Sequence, residues 1–122
     1  MAKSILVVDD ELHIRMLYQE ELEDKGYKVV TSDGSEDVDT LLQESGPDVV
    51  VLDIKLGGAK SGLDILQEIR ARDQYVPVIL CTAYDSFQHD LKSIAADYYV
   101  VKSVDLTELL DKVDKALAGK RK

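Results

Sequence analysis

Four short apolar runs in this chain each end on a polar side chain. Ile5-Leu6-Val7-Val8 runs into Asp9 and Asp10, Val49-Val50-Val51-Leu52 into Asp53, Val78-Ile79-Leu80-Cys81 into Thr82, and Tyr98-Tyr99-Val100-Val101 into Lys102. Short continuous apolar runs suit strands buried on both faces, as in parallel sheets. Parallel strands finish on one edge, and open α/β sheets bind ligands just outside those carboxyl ends. The runs therefore predict a single crevice in which three carboxylates, one hydroxyl and one ammonium meet. Three acids that close cannot all stay ionised without a cation. The expected ion is a hard divalent metal held by oxygen ligands, magnesium foremost.

Helix-period segments separate the strands. Ile14, Leu17, Tyr18 and Leu22 repeat at helical spacing after the first run, and Gly26 is placed to end that helix. Tyr27 to Ser32 reads as a further strand. Ser35 is the expected cap of the next helix, with Glu36 and Asp37 in its first turn and Val38, Leu41 and Leu42 on its inner face; Gly46-Pro47 stops it. Ser61 and Asp64 have capping-box spacing, opening a helix that buries Leu63, Leu66 and Ile69. Pro77 precedes a strand, where its missing N–H does little harm. Asp85 or Ser86 starts a fourth helix carrying Phe87, Leu91 and Ile94. Asp105 and Glu108 are spaced like another box, before the stripe Leu106, Leu109, Leu110, Val113 and Leu117. The rhythm is βα five times over. Right-handed crossovers then place helices on both faces of a parallel sheet, giving a doubly wound three-layer α/β sandwich.

Bulk composition narrows the partners. With 15 basic and 24 acidic residues the net charge is −9, which repels DNA and other polyanions and suits a basic protein surface. No apolar run approaches the ~20 residues of a membrane span. No signal peptide is visible and the single cysteine forms no intrachain disulfide, so a cytoplasmic location is expected. Cys81 reads as a small buried hydrophobe, His13 and His89 as surface histidines, and Tyr98 as a packing or helix-edge residue. Residues 3–118 form one expected domain; residues 119–122, Gly119-Lys120-Arg121-Lys122, are a basic tail or the start of a linker.

The set Asp9-Asp10, Asp53, Thr82-Ala83, Tyr99 and Lys102 resembles that of bacterial two-component response regulator receiver domains, and the match runs from Ile5 to Leu117. The resemblance implies a flavodoxin-like fold with strand order 2-1-3-4-5. It implies that Asp53 is the phosphoacceptor, taking a phosphoryl group from a histidine kinase or phosphotransfer protein. Asp10, Asp53 and the backbone carbonyl of Lys55 match the Mg2+ ligands, with Asp9 acting through a metal-bound water. Lys102 matches the residue that pairs with a phosphoryl oxygen. Thr82 matches the one that hydrogen-bonds another, and Tyr99 the one that swings inward behind Thr82. The surface altered would be that of the fourth helix, fifth strand and fifth helix, presented to a downstream protein or a fused output domain. Such a domain assists only its own phosphorylation and dephosphorylation. The side chains of Lys55 and Tyr84 are placed to flank the site and tune phosphoryl lifetime.

Three positions depart from the family pattern. Ser103 follows Lys102 where the family has a cis-proline, Gly57 replaces a loop proline with Gly62 one residue late, and Ala95-Ala96 replaces Gly-Ala. A phosphorylation-independent interaction module of the same fold is the alternative these changes leave open. A phosphatase of the haloacid-dehalogenase kind needs a second Asp two residues after the nucleophile, where this chain has Lys55. No GxGxxG follows the first strand, which argues against a dinucleotide site.

Overall fold

The computed structural model describes residues 2–54, 61–82, 96–102 and 105–119, with Thr82 described in its backbone alone. Five parallel strands form one sheet: β1 (Ser4–Val8), β2 (Lys28–Ser32), β3 (Val49–Leu52), β4 (Val78–Thr82) and β5 (Tyr98–Val101). Their order is β2-β1-β3-β4-β5, as the resemblance implied. The described helices are α1 (Leu12–Asp24), α2 (Val38–Ser45), α3 (Gly62–Arg72) and α4 (Thr107–Ala118). Here α4 is the last helix of the sequence reading. The helix expected from Asp85 or Ser86, together with Lys55, Tyr84, His89 and Ser103, lies outside the described residues.

Alternation along the strands builds two cores. Ile5, Val7, Val49, Val51, Ile79, Cys81 and Val100 face one side and pack against Tyr18 and Leu22 of α1 and Leu109, Val113 and Ala116 of α4. Leu6, Val8, Val50, Leu52, Val78 and Leu80 face the other and meet Val38 and Leu41 of α2 and Ile65, Leu66 and Ile69 of α3. Each strand feeds both layers, which is why the runs are apolar throughout rather than alternating. Ile65 and Ala116 join the core beyond the stripes expected, while Leu63 is only partly buried.

Helix ends follow local chemistry. Ser61 and Asp64 form the predicted box: the Asp64 N–H donates to Ser61 Oγ at 3.3 Å and the Ser61 N–H donates to Asp64 Oδ2 at 3.0 Å. The cap of α2 is Asp37 rather than Ser35, accepting from the Thr40 N–H at 3.2 Å. Ser35 instead donates its hydroxyl to Asp33 Oδ1 at 2.6 Å, a local turn that competes with capping. Asp105 and Glu108 make no box; Asp105 Oδ1 accepts from the N–H and hydroxyl of Thr107, and α4 starts after Leu106 without a side-chain cap. Gly46 ends α2 at φ 48°, a left-handed position suited to glycine.

At the opposite edge from the strand ends, Asp97 anchors the start of β4 and β5. Its Oδ2 accepts from the Val78 N–H and from Arg70 Nη2, both at 2.9 Å. Arg70 Nη1 also donates to the Val76 carbonyl at 2.6 Å.

Candidate functional site at the carboxyl edge of the sheet

Asp9 follows β1 and Asp53 follows β3. The register pairs Val8 with Leu52, so the two acids arrive side by side. Their backbones extend the ladder: the Asp9 N–H donates to the Ser32 carbonyl at 3.0 Å, and the Asp53 N–H to the Val8 carbonyl at 2.9 Å. Both carboxylates are buried, with Asp9 2 % and Asp53 4 % exposed. Asp10 is exposed beside them. One oxygen from each of these three acids lies within 4.8 Å of the other two.

Lys102 follows β5, beyond the pairing of Thr82 with Val101. Its ammonium crosses the end of β4, reaching Asp9 Oδ2 at 2.8 Å and Asp53 Oδ2 at 3.2 Å. Burial alone would pull the lysine down. The hydrogen bond to Asp9 and the charges of Asp53 and Asp9 outweigh it, so its pKa stands above the ordinary lysine value. The cation is therefore fixed at neutral pH.

The expected residues thus come together, so far as they are described. Asp9, Asp10, Asp53 and Lys102 form one cluster. Thr82 ends β4 within the same edge, its side chain lying outside the description. Tyr99 lies across the sheet, partly buried against the core that α2 and α3 share. The Lys55 carbonyl, the Lys55 and Tyr84 side chains and the Lys102–Ser103 bond fall outside the described residues.

Four contributors escaped the sequence reading. Glu11 Oε1 stands 3.4 Å from Lys102 Nζ. Arg15 Nη1 donates to the Asp9 carbonyl at 2.7 Å, and Asp9 Oδ1 accepts from the Glu11 N–H at 2.9 Å, so α1 is stitched to the acid pair. Beneath the site the Tyr18 hydroxyl and Cys81 Sγ are 3.1 Å apart in a buried hydrogen bond. Burial pushes the Cys81 thiol up to about 11, although Tyr18 and Lys102 pull it down. Gly62 is the fourth: its N–H donates to the Ile54 carbonyl at 2.7 Å, and a Cβ there would lie 1.8 Å from the Asp53 carbonyl oxygen. None of these contacts carried a sequence signal of its own.

The donor set suits a hard cation. Among the described residues carboxylate oxygens converge without a histidine or thiol, a chemistry that favours magnesium, calcium or manganese over zinc. Among the described residues, two buried carboxylates and an exposed third stand against the Lys102 ammonium, an arrangement that a divalent ion would help to balance.

A doubly wound sheet whose carboxyl edge gathers three acids and a lysine defines a class, and comparison with known proteins agrees. The chain belongs to the response regulator receiver domain family, whose family model matches residues 5–114. Over 116 residues it is 40% identical to the uncharacterized transcriptional regulatory protein YkoG of Bacillus subtilis (strain 168), covering 93% of this chain and 50% of that protein. The chain thus spans about half the length of that relative. The crystal structure of the response regulator TrrA of Thermotoga maritima in complex with Mg2+ and BeF is 44% identical, with a TM-score of 0.86 over 94% of this chain and 99% of that one. The crystal structure of histidine kinase ThkA in complex with TrrA also matches, at 44% identity and a TM-score of 0.79 over 94% of this chain and 98% of that one. Among the described residues no helix is long and apolar enough to cross a membrane.

Proposed function

We propose that this chain is a phosphorylation-controlled signalling switch that takes a phosphoryl group onto Asp53 from the phosphohistidine of a sensor histidine kinase or a histidine phosphotransfer protein. In that step an Asp53 carboxylate oxygen forms a bond to phosphorus. The P–N bond of the donor breaks, and its electron pair stays on the imidazole nitrogen. The observation that carries the reading is the buried Asp53 carboxylate held 3.2 Å from the Lys102 ammonium, with Asp9 and Asp10 within ligand distance.

Each residue has a physical task. Lys102, fixed as a cation, offsets charge that builds on the phosphoryl oxygens during transfer. Asp10, Asp53 and the Lys55 carbonyl would hold Mg2+ directly, and Asp9 through a water. Bound there, Mg2+ would supply positive charge that offsets the charge of the attacking carboxylate and of the phosphoryl oxygens. Thr82 donates to a second phosphoryl oxygen, and Tyr99 follows its movement, so a local charge becomes a change of surface. That surface belongs to the segment between β4 and β5, to β5 itself and to α4. TrrA, crystallised both with Mg2+ and BeF and with a histidine kinase, supports this reading by its likeness.

The domain spans residues 3–118, and residues 119–122 begin a linker or tail. It turns over no separate substrate and catalyses only its own phosphorylation and dephosphorylation. Its place of action is the cytoplasm. Its target is a downstream protein or a fused output domain, with no nucleic acid bound by this unit. Incubation with acetyl phosphate and Mg2+ should add one phosphoryl group to the intact mass, and EDTA or Asp53→Asn should prevent it. Folded wild-type protein that gains no mass would leave the phosphorylation-independent module standing.

A further inference from the structure

The Lys102 ammonium has three hydrogens and faces three carboxylates. Asp9 lies at 2.8 Å, Asp53 at 3.2 Å and Glu11 at 3.4 Å. The first two side chains are almost fully buried, whereas that of Glu11 is 49% exposed. If Asp53 carries a phosphoryl group, Lys102 must turn a hydrogen toward a phosphoryl oxygen, because that oxygen is the stronger and newly introduced acceptor. Phosphorylation also takes the charge off the Asp53 carboxyl group and places it on the phosphoryl oxygens, so the ammonium must shift outward to follow it, which strains its two remaining contacts. Separating it from the buried Asp9 carboxylate would leave a desolvated charge poorly matched, a costly change. Glu11 is the longest of the three contacts and turns into water on release, at little cost.

We infer that Glu11 is a resting-state positioning residue, a placeholder that engages the Lys102 donor until a phosphoryl oxygen displaces it. The inference rests on the reading of Asp53 as phosphoacceptor and extends it to a residue outside the acid triad. The released carboxylate has a neighbour waiting: Glu11 Oε2 is already 3.7 Å from Nε2 of His13, which is 76% exposed on the first turn of α1. Glu11 also occupies the N-cap position of α1 without making a side-chain cap, so its carboxylate is not committed to the helix end. Loading the site therefore changes the charge arrangement at the start of α1, beside the exposed Leu12 and Met16.

The consequence is antagonism between Glu11 and any anion that mimics the phosphoryl group. Both compete for one ammonium, and both are negative. The Glu11→Gln change keeps the shape and removes the charge. Titration of wild type and variant with beryllofluoride and Mg2+, followed by amide NMR, tests this. The expected result is tighter binding by the variant, with half-saturation at about two- to fivefold lower beryllofluoride, the size set by an exposed ion pair. Salt screens exposed pairs, so the wild-type and variant curves should converge as ionic strength rises. A purely structural effect would not follow salt in that way. The His13 ring resonances should shift on beryllofluoride binding in wild type and stay in place in Glu11→Gln. Glu11→Ala supplies a second variant, with the same direction expected. Equal or weaker binding by both variants at low salt would overturn the inference. A wild type that binds no beryllofluoride would instead overturn the reading of Asp53 itself.

Discussion

Gly62 stands where a side chain has no room. The space a side chain would need is taken by the backbone of Asp53 and Ile54, with the nearest atom 1.8 Å from a Cβ position. Backbone cannot step aside as a flexible side chain can. Gly62→Ala should therefore destabilise the fold by about 3 kcal/mol or more, read as a lower urea midpoint, and should also lower phosphoryl uptake from acetyl phosphate. The sequence displayed Gly62 only as a glycine one place late relative to the family, a clue to loop length rather than to this contact. Asp9, Asp10, Asp53 and Lys102 were legible for a different reason: a polar residue that halts a buried apolar strand stands out against its neighbours. Glu11 was not, since an acid before a helix is commonplace and its contact with Lys102 depends on a residue 91 positions away.

At the level of elements, strand parity decides where a functional side chain points. Asp53 continues the Val49 and Val51 side, Asp9 the Ile5 and Val7 side, and Lys102 the Val100 side, all facing α1 and α4. Tyr99 has the opposite parity and packs toward α2 and α3. That much can be counted from the chain once strand ends are known. Helix starts are harder, because Ser, Asp and Glu compete for the same few N–H groups. Around α2 the sequence offers Asp33, Ser35, Glu36 and Asp37 in five residues, and only geometry selects Asp37. Asp37→Ala should cost about 1 kcal/mol in urea denaturation, whereas Ser35→Ala should stay within about 0.5 kcal/mol. The reverse ranking would return the cap to Ser35.

At the scale of the whole molecule, among the described residues α1 and α4 cover one face of the sheet and α2 and α3 the other, and a side-chain contact ties the α1–β2 turn to α4. The Tyr27 hydroxyl donates to Asp114 of α4. This hydrogen bond and partial burial raise Tyr27 from 10.0 to about 12. Between those values the folded chain keeps a proton that the unfolded chain has released. The contribution is therefore complete below pH 10 and fades as pH climbs toward 12. Lys102, with its raised pKa, adds a loss of the same sign at high pH. Melting temperature should thus fall between about pH 10 and about pH 12, and Tyr27→Phe should make that fall shallower. Equal slopes would remove Tyr27 from the account. The strand order and layering followed from the βα rhythm and the resemblance. A tie between residues 27 and 114 carries no such pattern, since neither side chain is distinctive alone.

The Tyr18–Cys81 pair gives this chain a built-in gauge. Its sole sulfhydryl sits 2 % exposed under the sheet edge, in hydrogen-bond contact with a phenol and protonated at neutral pH. An alkylating reagent in solution cannot meet it until the structure opens, and the thiolate that would react is scarce until then. The pace of labelling consequently counts opening events of the native ensemble, with no dye or engineered probe attached. A ligand that tightens the fold by occupying the strand edge would slow that clock, and so would announce its own binding.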